Sequence, residues 1–208
     1  MEEPPQRSAD RVRQVPHIEG NFSTHVFVSL SRSLTADLEK FLPFAADSEP
    51  ISGAGCTIPR SSLHLSLSRH VFLKPHLIHS FLKRMSQVFS SAPTTSLYLK
   101  DRLRYYTNES GDTIFVAVPI DDSLSPNVIA LIKMVDSVFV EFDLQPFYDS
   151  PSPHISLAWG PNSQGLSFDE GNCFGGKIIV EDLDEFRVDV ESICVAVGKE
   201  VHRIHLRS

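Results

Sequence analysis

The stretch SLHLSLS, residues 62–68, alternates strictly between polar and apolar side chains. Successive side chains of a β-strand point to opposite faces, so this alternation predicts a strand with one buried face. The buried face would consist of Leu63, Leu65 and Leu67. The other face would carry one histidine and three serines: Ser62, His64, Ser66 and Ser68. Taken alone, such a strand indicates no function, because a single strand histidine is usually structural or superficial.

The same pattern returns in the second half of the chain, where residues 152–158 read SPHISLA. Both copies fit S-x-H-[L/I]-S-L, with His64 in the first and His154 in the second. A bare H-x-S is expected about once by chance in a chain of this composition, whereas the longer match is expected on the order of 0.01 times. We therefore predict two pseudo-symmetric lobes, each presenting one such strand to a shared cleft.

Two histidines that face one cleft can act as an acid–base pair. Imidazole titrates near pH ~6.5, so one ring can be neutral while the other is protonated. The neutral ring can take a proton from a hydroxyl while the charged ring gives one to a leaving oxygen, each contributing about 10²- to 10⁴-fold. Ser66 and Ser156 would face the same cleft and could donate hydrogen bonds to a phosphoryl oxygen. This chemistry needs no metal or other cofactor.

The rest of the chain predicts an α+β fold with antiparallel sheets and helices on the outside. Apolar residues at helical spacing predict helices within 74–89 and 123–142, the second with Ser125 as N-cap. Alternating segments predict strands between and after them, and Gly198 with Lys199 predicts a hairpin turn. This mixed order favours an α+β fold over a doubly wound parallel sheet.

The first twenty residues are rich in Pro, Arg and Glu and have no apolar periodicity. They predict a flexible or surface-draped arm at 1–20, followed by a single two-lobed domain at 21–208. No apolar run approaches the ~20 residues needed to cross a bilayer, so we expect an intracellular protein without a membrane partner. Three cysteines stand far apart without a CxxC pair, which predicts reduced thiols instead of a disulfide or zinc site: Cys56, Cys173 and Cys194.

Charge is distributed unevenly along the chain. The formal net charge of the whole protein is -7, which argues against a simple basic nucleic-acid module. Residues 60–104, however, hold eight Lys and Arg side chains against one acid, Asp101. This segment could attract a polyanion locally, although a solvated charged face is the commoner cause of such a bias.

The paired H-x-S motifs, one in each half, resemble the signature of the two-histidine (2H) phosphodiesterase superfamily. Within it, the chain resembles the eukaryotic U6 small nuclear RNA phosphodiesterases over about residues 11–208. Four stretches carry this resemblance: RVRQVPHIEGNFSTHVFV, LHLSLS, YYTNESGDTIFVAV and FYDSPSPHISLAW. The chain departs from the family at Phe22, where a Trp is usual, and its end, HRIHLRS, matches the expected final strand only loosely.

The resemblance implies a catalytic cleft between two lobes and metal-independent 3'-to-5' removal of nucleotides from an RNA end. A 2'-hydroxyl would attack the adjacent phosphate and the 5'-oxygen would leave, so the RNA would end in a 2',3'-cyclic phosphate or a 3'-phosphate. By position, the catalytic histidines are His64 and His154, the phosphate-contacting serines are Ser66 and Ser156, and Tyr148 packs on the terminal nucleotide. A nuclear location and the uridine-rich 3' end of a small nuclear RNA as substrate are also implied, and we expect a monomer.

Several interpretations stay open at this point. We take His154 as the base and His64 as the acid, although the two motifs are nearly symmetric in sequence. Another superfamily activity, on cyclic phosphates or 2',5'-linkages, would use the same residues, and a non-catalytic RNA-binding splicing protein would keep them as a relict. Trp159, on the face opposite His154, is expected in the core, and Tyr106 is expected to serve mainly packing.

Overall fold

The computed structural model describes residues 20–40, 63–162, 173–177 and 186–208, the range 173–177 by its backbone alone. Within these ranges, eleven strands and three helices follow one another in α+β order. The helices are α1 (Arg32–Glu39), α2 (Pro75–Phe89) and α3 (Asn127–Glu141). The strands are β1 (Phe22–Ser29), β2 (His64–Ser66), β3 (Val71–Leu73), β4 (Thr95–Tyr98), β5 (Arg102–Thr107), β6 (Thr113–Pro119), β7 (His154–Pro161), β8 (Cys173–Lys177), β9 (Arg187–Val190), β10 (Ser192–Val197) and β11 (Glu200–His205).

Nine of the described strands form one sheet in the order β11-β10-β1-β2-β7-β6-β5-β8, with β3 beside β2 along the edge of β1. The other two, β4 and β9, form a small sheet of their own. Pairing between these named strands is antiparallel throughout. The predicted α+β class with antiparallel sheets is confirmed, and its two halves meet where β2 pairs with β7.

The core lies on the leucine face of β2. Leu63, Leu65 and Leu67 are 3%, 0% and 0% exposed, as the alternation predicted. Ser68 departs from that alternation, since it is buried and its hydroxyl accepts a hydrogen bond from the backbone N–H of Val26 at 2.9 Å. An unpaired N–H at this buried point of β1 would be costly, so the Ser68 side chain ties the bend after β2 to β1 and does not line the polar face.

The predicted helices are present, with one correction at a cap. Phe81, Met85 and Phe89 of α2 are fully buried at a spacing of four residues, which places them on one face of the helix. Helix α3 begins at Asn127, one residue later than predicted. The Ser125 hydroxyl does not cap it, because it accepts the backbone N–H of Tyr98 at 2.7 Å and so ties the start of the helix to β4.

A β-bulge in β7 overturns two expectations about burial. Val116 pairs with Ala158 and Ala117 pairs with Ser156, so Leu157 is an extra residue on β7. One extra residue reverses the alternation beyond it. Unbroken alternation from His154 and Ser156 would place Ala158 on their face, yet it is fully buried, and Trp159, expected in the core, is partly exposed.

The hairpin predicted at the end of the chain is also present. Val197 pairs with Glu200, which leaves Gly198 and Lys199 as the two-residue turn, and Gly198 has a φ of 61°. Left-handed backbone of this kind favours glycine because a Cβ is strained there. Cys194 on β10 is a free thiol and is 1% exposed.

Several expectations fall outside the described ranges. The predicted arm lies outside them except for Gly20, so the division into an arm and a domain stays a prediction. Cys56 and the side chain of Cys173 lie outside them as well. In the part of the chain that is described, no helix is long and apolar enough to cross a membrane.

Candidate active site

The two H-x-S motifs lie side by side where the halves of the sheet meet. Leu65 pairs with Ile155, and both are fully buried. Continuing this antiparallel register by one residue places His64 across from Ser156, and Ser66 across from His154. All four side chains lie on the face opposite the core and are partly exposed: His64, Ser66, His154 and Ser156. The fold thus brings together the four residues that the sequence repeat singled out.

In this register the two histidines are diagonal neighbours. Diagonal positions on paired strands are typically about 7–8 Å apart, which leaves room for a phosphate between the rings. The two serines occupy the other diagonal, so each histidine has the serine of the opposite motif beside it. The arrangement supplies two proton-transfer groups and two hydroxyl donors around one position.

His154 is held in one orientation by its own loop. Its Nδ1 lies 2.8 Å from the backbone carbonyl of Ser152, which can only accept, so Nδ1 carries a hydrogen. The Tyr106 ring stacks on the imidazole with centroids 3.9 Å apart and planes 16° from parallel. Ser152 also donates a hydrogen bond from its hydroxyl to the Tyr106 hydroxyl at 3.4 Å. In the neutral ring, Nε2 is therefore the nitrogen that can accept a proton.

The electrostatics of His154 favour this neutral form. Burial lowers its pKa, and the nearby His64 lowers it further, while the hydrogen bond to Ser152 raises it. The net shift of the pKa is downward from the ordinary histidine value. Since two imidazolium ions close together repel each other, protonation of His64 disfavours protonation of His154. This is a physical basis for dividing base and acid between two motifs that look alike in sequence.

The first motif contacts a histidine that the sequence interpretation did not single out. His25 on β1 is 6% exposed, and its Nε2 lies 3.1 Å from the Ser66 hydroxyl oxygen. Its ring stacks on His70 at 4.2 Å and forms a T-shaped contact with the His64 ring at 5.3 Å. The signal available in the sequence was the alternation of THVFVSL, which puts His25 on the same face of β1 as Phe27.

Tyr148 precedes β7 and is 42% exposed. The Arg69 guanidinium lies 3.9 Å above the centre of its ring, a cation–π contact, and the Phe147 ring meets it edge-on at 4.9 Å. Arg69 also forms a salt bridge with Glu109 in the turn between β5 and β6. Arg69 follows the first motif in sequence, whereas Tyr148 and Glu109 belong to the other half. Arg69 therefore links the two halves of the chain.

Within the described part of the basic segment 60–104, several Lys and Arg side chains lie close to carboxylates. Arg69 contacts Tyr148 and Glu109, and Arg84 forms two hydrogen bonds of 2.7 Å with Glu141 across the α2–α3 packing. Lys100 and Arg102 lie 3.8 Å and 3.7 Å from carboxylates. Within the part of the chain that the structure describes, neighbouring carboxylates thus offset part of the local positive charge seen in the sequence. Among the described residues, no group of His, Cys, Asp and Glu side chains could hold a metal ion.

Comparison with known proteins extends over nearly the whole chain. A family model, HVSL, described as an uncharacterised conserved protein, matches residues 1–205. The chain is 33% identical over 199 residues to U6 snRNA phosphodiesterase 1 of Drosophila melanogaster, covering 95% of this chain and 72% of that protein. It is 30% identical over 204 residues to the Homo sapiens protein of the same name, covering 95% and 74%.

Solved structures share the fold at low sequence identity. Kluyveromyces marxianus Usb1 with uridine monophosphate aligns with a TM-score of 0.58 and 13% identity over 89% of this chain and 98% of that one. Escherichia coli LigT complexed with 3'-AMP aligns with a TM-score of 0.58 and 13% identity over 90% and 96%. These likenesses agree with the antiparallel α+β architecture described above.

Proposed function

This chain belongs to the U6 snRNA phosphodiesterase family, and from this premise we propose that it trims the 3' end of U6 small nuclear RNA as a metal-independent 3'-to-5' exonuclease. The observation that carries the proposal is the pairing of the two H-x-S strands at Leu65 and Ile155, with both histidines on one open face. The named activity of the relatives supplies the substrate. We further propose that the protein acts as a monomer in the nucleus.

In the proposed reaction, His154 is the base. Its Nε2 takes the proton of the 2'-hydroxyl on the ribose that lies 5' of the scissile phosphate. The 2'-oxygen then forms a bond to phosphorus while the bond from phosphorus to the 5'-oxygen of the terminal nucleotide breaks. His64 gives its proton to that leaving 5'-oxygen. The RNA is left with a 2',3'-cyclic phosphate, which water can open to a 3'-phosphate.

The two serines would stabilise the charge that develops on the phosphoryl oxygens. Ser66 and Ser156 lie on opposite strands, so their hydroxyls can approach the phosphate from two sides. Hydroxyl donors held in place before the reaction stabilise a transition state more than water does, because they need no reorganisation. Their positions across from His154 and His64 support this role.

The test of the proposed function is stepwise trimming of an RNA that ends in uridines, in the presence of EDTA. A 5'-labelled RNA should shorten one nucleotide at a time, and mass spectrometry of the product should show a cyclic phosphate or 3'-phosphate end. A 3'-hydroxyl end would contradict attack by the 2'-hydroxyl. Activity on cyclic phosphates or 2',5'-linkages without trimming would assign another reaction to the same residues, and RNA binding without any product would indicate a non-catalytic protein.

We propose that Tyr148 stacks on the terminal base, since Arg69 covers one face of its ring and the side chain is still 42% exposed. Tyr148→Ala should weaken RNA binding by about 1–3 kcal/mol, which raises KM by roughly 5- to 150-fold. Tyr148→Phe keeps the ring and should stay within about twofold to threefold of the wild type. Steady-state kinetics on a short uridine-ended RNA would measure both. Equal effects of the two variants would rule out a stacking role.

The pH dependence of trimming should reflect the lowered pKa of His154. As the base, His154 must be neutral, and its pKa lies below the usual value of about 6.5 because of burial and the neighbouring His64. The ring therefore stays neutral to a lower pH than an ordinary histidine does, and the acidic loss of activity occurs below that lowered pKa. A plot of log(kcat/KM) against pH should show an acidic limb that bends below pH ~6.5. An acidic limb bending above that value would contradict a base whose pKa is lowered.

A further inference from the structure

His25 is a buried titratable group in contact with the proposed phosphate-binding machinery, and the mechanism above leaves it without a role. It lies on β1, which pairs with β2 so that Phe27 is opposite Ser66. His25 stands two residues before Phe27, on the same face of the strand, and so reaches Ser66 diagonally. Its Nε2 is 3.1 Å from the Ser66 hydroxyl oxygen, within hydrogen-bonding distance.

Three ring contacts hold the His25 imidazole in place. It stacks on Phe27 at 5.4 Å with planes 16° apart, and on His70 at 4.2 Å with planes 19° apart. It forms a T-shaped contact with the His64 ring, with centroids 5.3 Å apart and planes at 73°. Since the side chain is 6% exposed, these contacts leave it little freedom to turn away from Ser66. The ring is thus aimed at one hydroxyl by packing on several sides.

The direction of the hydrogen bond between His25 and Ser66 follows from the proposed role of Ser66 as a donor to the phosphate. A serine hydroxyl carries one hydrogen, so if Ser66 donates it to a phosphoryl oxygen, its own oxygen has to accept from His25. The Nε2 of His25 then carries a hydrogen. The reverse bond, from Ser66 to His25, would leave no hydroxyl hydrogen for the phosphate. Donation from His25 also polarises the Ser66 hydroxyl and fixes its rotation, which strengthens its bond to a developing negative charge.

We infer that His25 is a positioning residue that orients the Ser66 hydroxyl toward the phosphate through its Nε2–H. The inference rests on the proposed function and adds a residue from β1 to a site otherwise built from β2 and β7. It acts through Ser66, so its contribution should disappear when Ser66 has no hydroxyl.

The test is a double-mutant cycle between His25 and Ser66, measured as kcat/KM for trimming of a uridine-ended RNA in EDTA. His25→Phe keeps an aromatic ring between Phe27 and His70 but removes the donor. His25→Gln places a side-chain N–H near the position of Nε2. His76→Phe, at an exposed site on α2, is the matched control. Thermal unfolding of each variant shows whether it is folded at the assay temperature.

We expect His25→Phe to lower kcat/KM by about 10- to 100-fold, mainly through kcat, and His25→Gln to restore most of it. In a Ser66→Ala background, His25→Phe should cause less than about a twofold further loss. Equal losses in both backgrounds, or wild-type activity in His25→Phe, would overturn the inference.

A second pair of variants covers the case in which His25→Phe is unstable. If His25→Phe does not fold, His25→Gln is compared with His25→Asn, whose amide is too short to reach Ser66; equal activity of these two would overturn the inference. Failure of the proposed function has a different signature. In that case the wild-type protein itself would not trim RNA, and Ser66→Ala would have no activity to lose.

Discussion

Replacing either His64 or His154 by alanine should lower the rate of RNA trimming by about 10²- to 10⁴-fold. His154→Ala removes the base whose Nδ1 is hydrogen-bonded to the Ser152 carbonyl, which leaves Nε2 as the nitrogen that can accept a proton. His64→Ala removes the acid on the neighbouring strand. Single-turnover trimming of a 5'-labelled, uridine-ended RNA in EDTA measures both losses.

The loss from the double variant should be smaller than the product of the two single losses, because the residues act in one step. His79→Ala, at an exposed position on α2, should trim like the wild type and serves as the matched control. RNA binding by either single variant should stay within about threefold of the wild type, which separates lost chemistry from lost binding. Full activity in both single variants would remove the proposed mechanism.

A single 2'-deoxyribose on the 5' side of the scissile phosphate should stop trimming completely at that bond. The proposed nucleophile is the 2'-oxygen of that ribose, and without it His154 has no proton to remove. A denaturing gel of 5'-labelled RNA should show removal of nucleotides one at a time until a single nucleotide remains 3' of the deoxyribose. This one product should accumulate.

Placing the deoxyribose in the terminal nucleotide provides the control. That nucleotide is the leaving group, so its own 2'-hydroxyl takes no part in bond breaking, and it should be removed at a rate close to that of the unmodified RNA. Trimming that continues past an internal deoxyribose would instead indicate direct attack by water. That outcome would leave the site in place but change the nucleophile.

Much of the fold could be predicted because its elements carry local patterns. The apolar spacing of α2 predicted its one buried face, and Phe81, Met85 and Phe89 occupy that face. The alternation of SLHLSLS predicted which leucines are buried. These local patterns do not show which distant group each side chain contacts. Ser125 looked like a helix cap but bonds the backbone of Tyr98, which is 27 residues away in sequence.

The placement of the four H-x-S residues side by side could be predicted because the motif is repeated, and a repeat is visible without any structure. His25 could not be assigned in the same way. Its value to the site depends on β1 pairing with β2, which brings together residues 41 positions apart. Arg69 was counted only as part of a basic segment, and its contact with Tyr148 likewise depends on how the two halves meet.

The sequence by itself determined the two motifs, the chemistry they allow and the strand faces wherever the alternation is unbroken, because the period of two is a property of the strand backbone. Tertiary structure decided where that period is broken and which faces meet. The extra residue Leu157 in β7 put Trp159 on the partly exposed face, and the pairing of Leu65 with Ile155 placed His64 diagonally across from His154. Strand pairing and bulges depend on contacts between distant parts of the chain, and no local pattern records them.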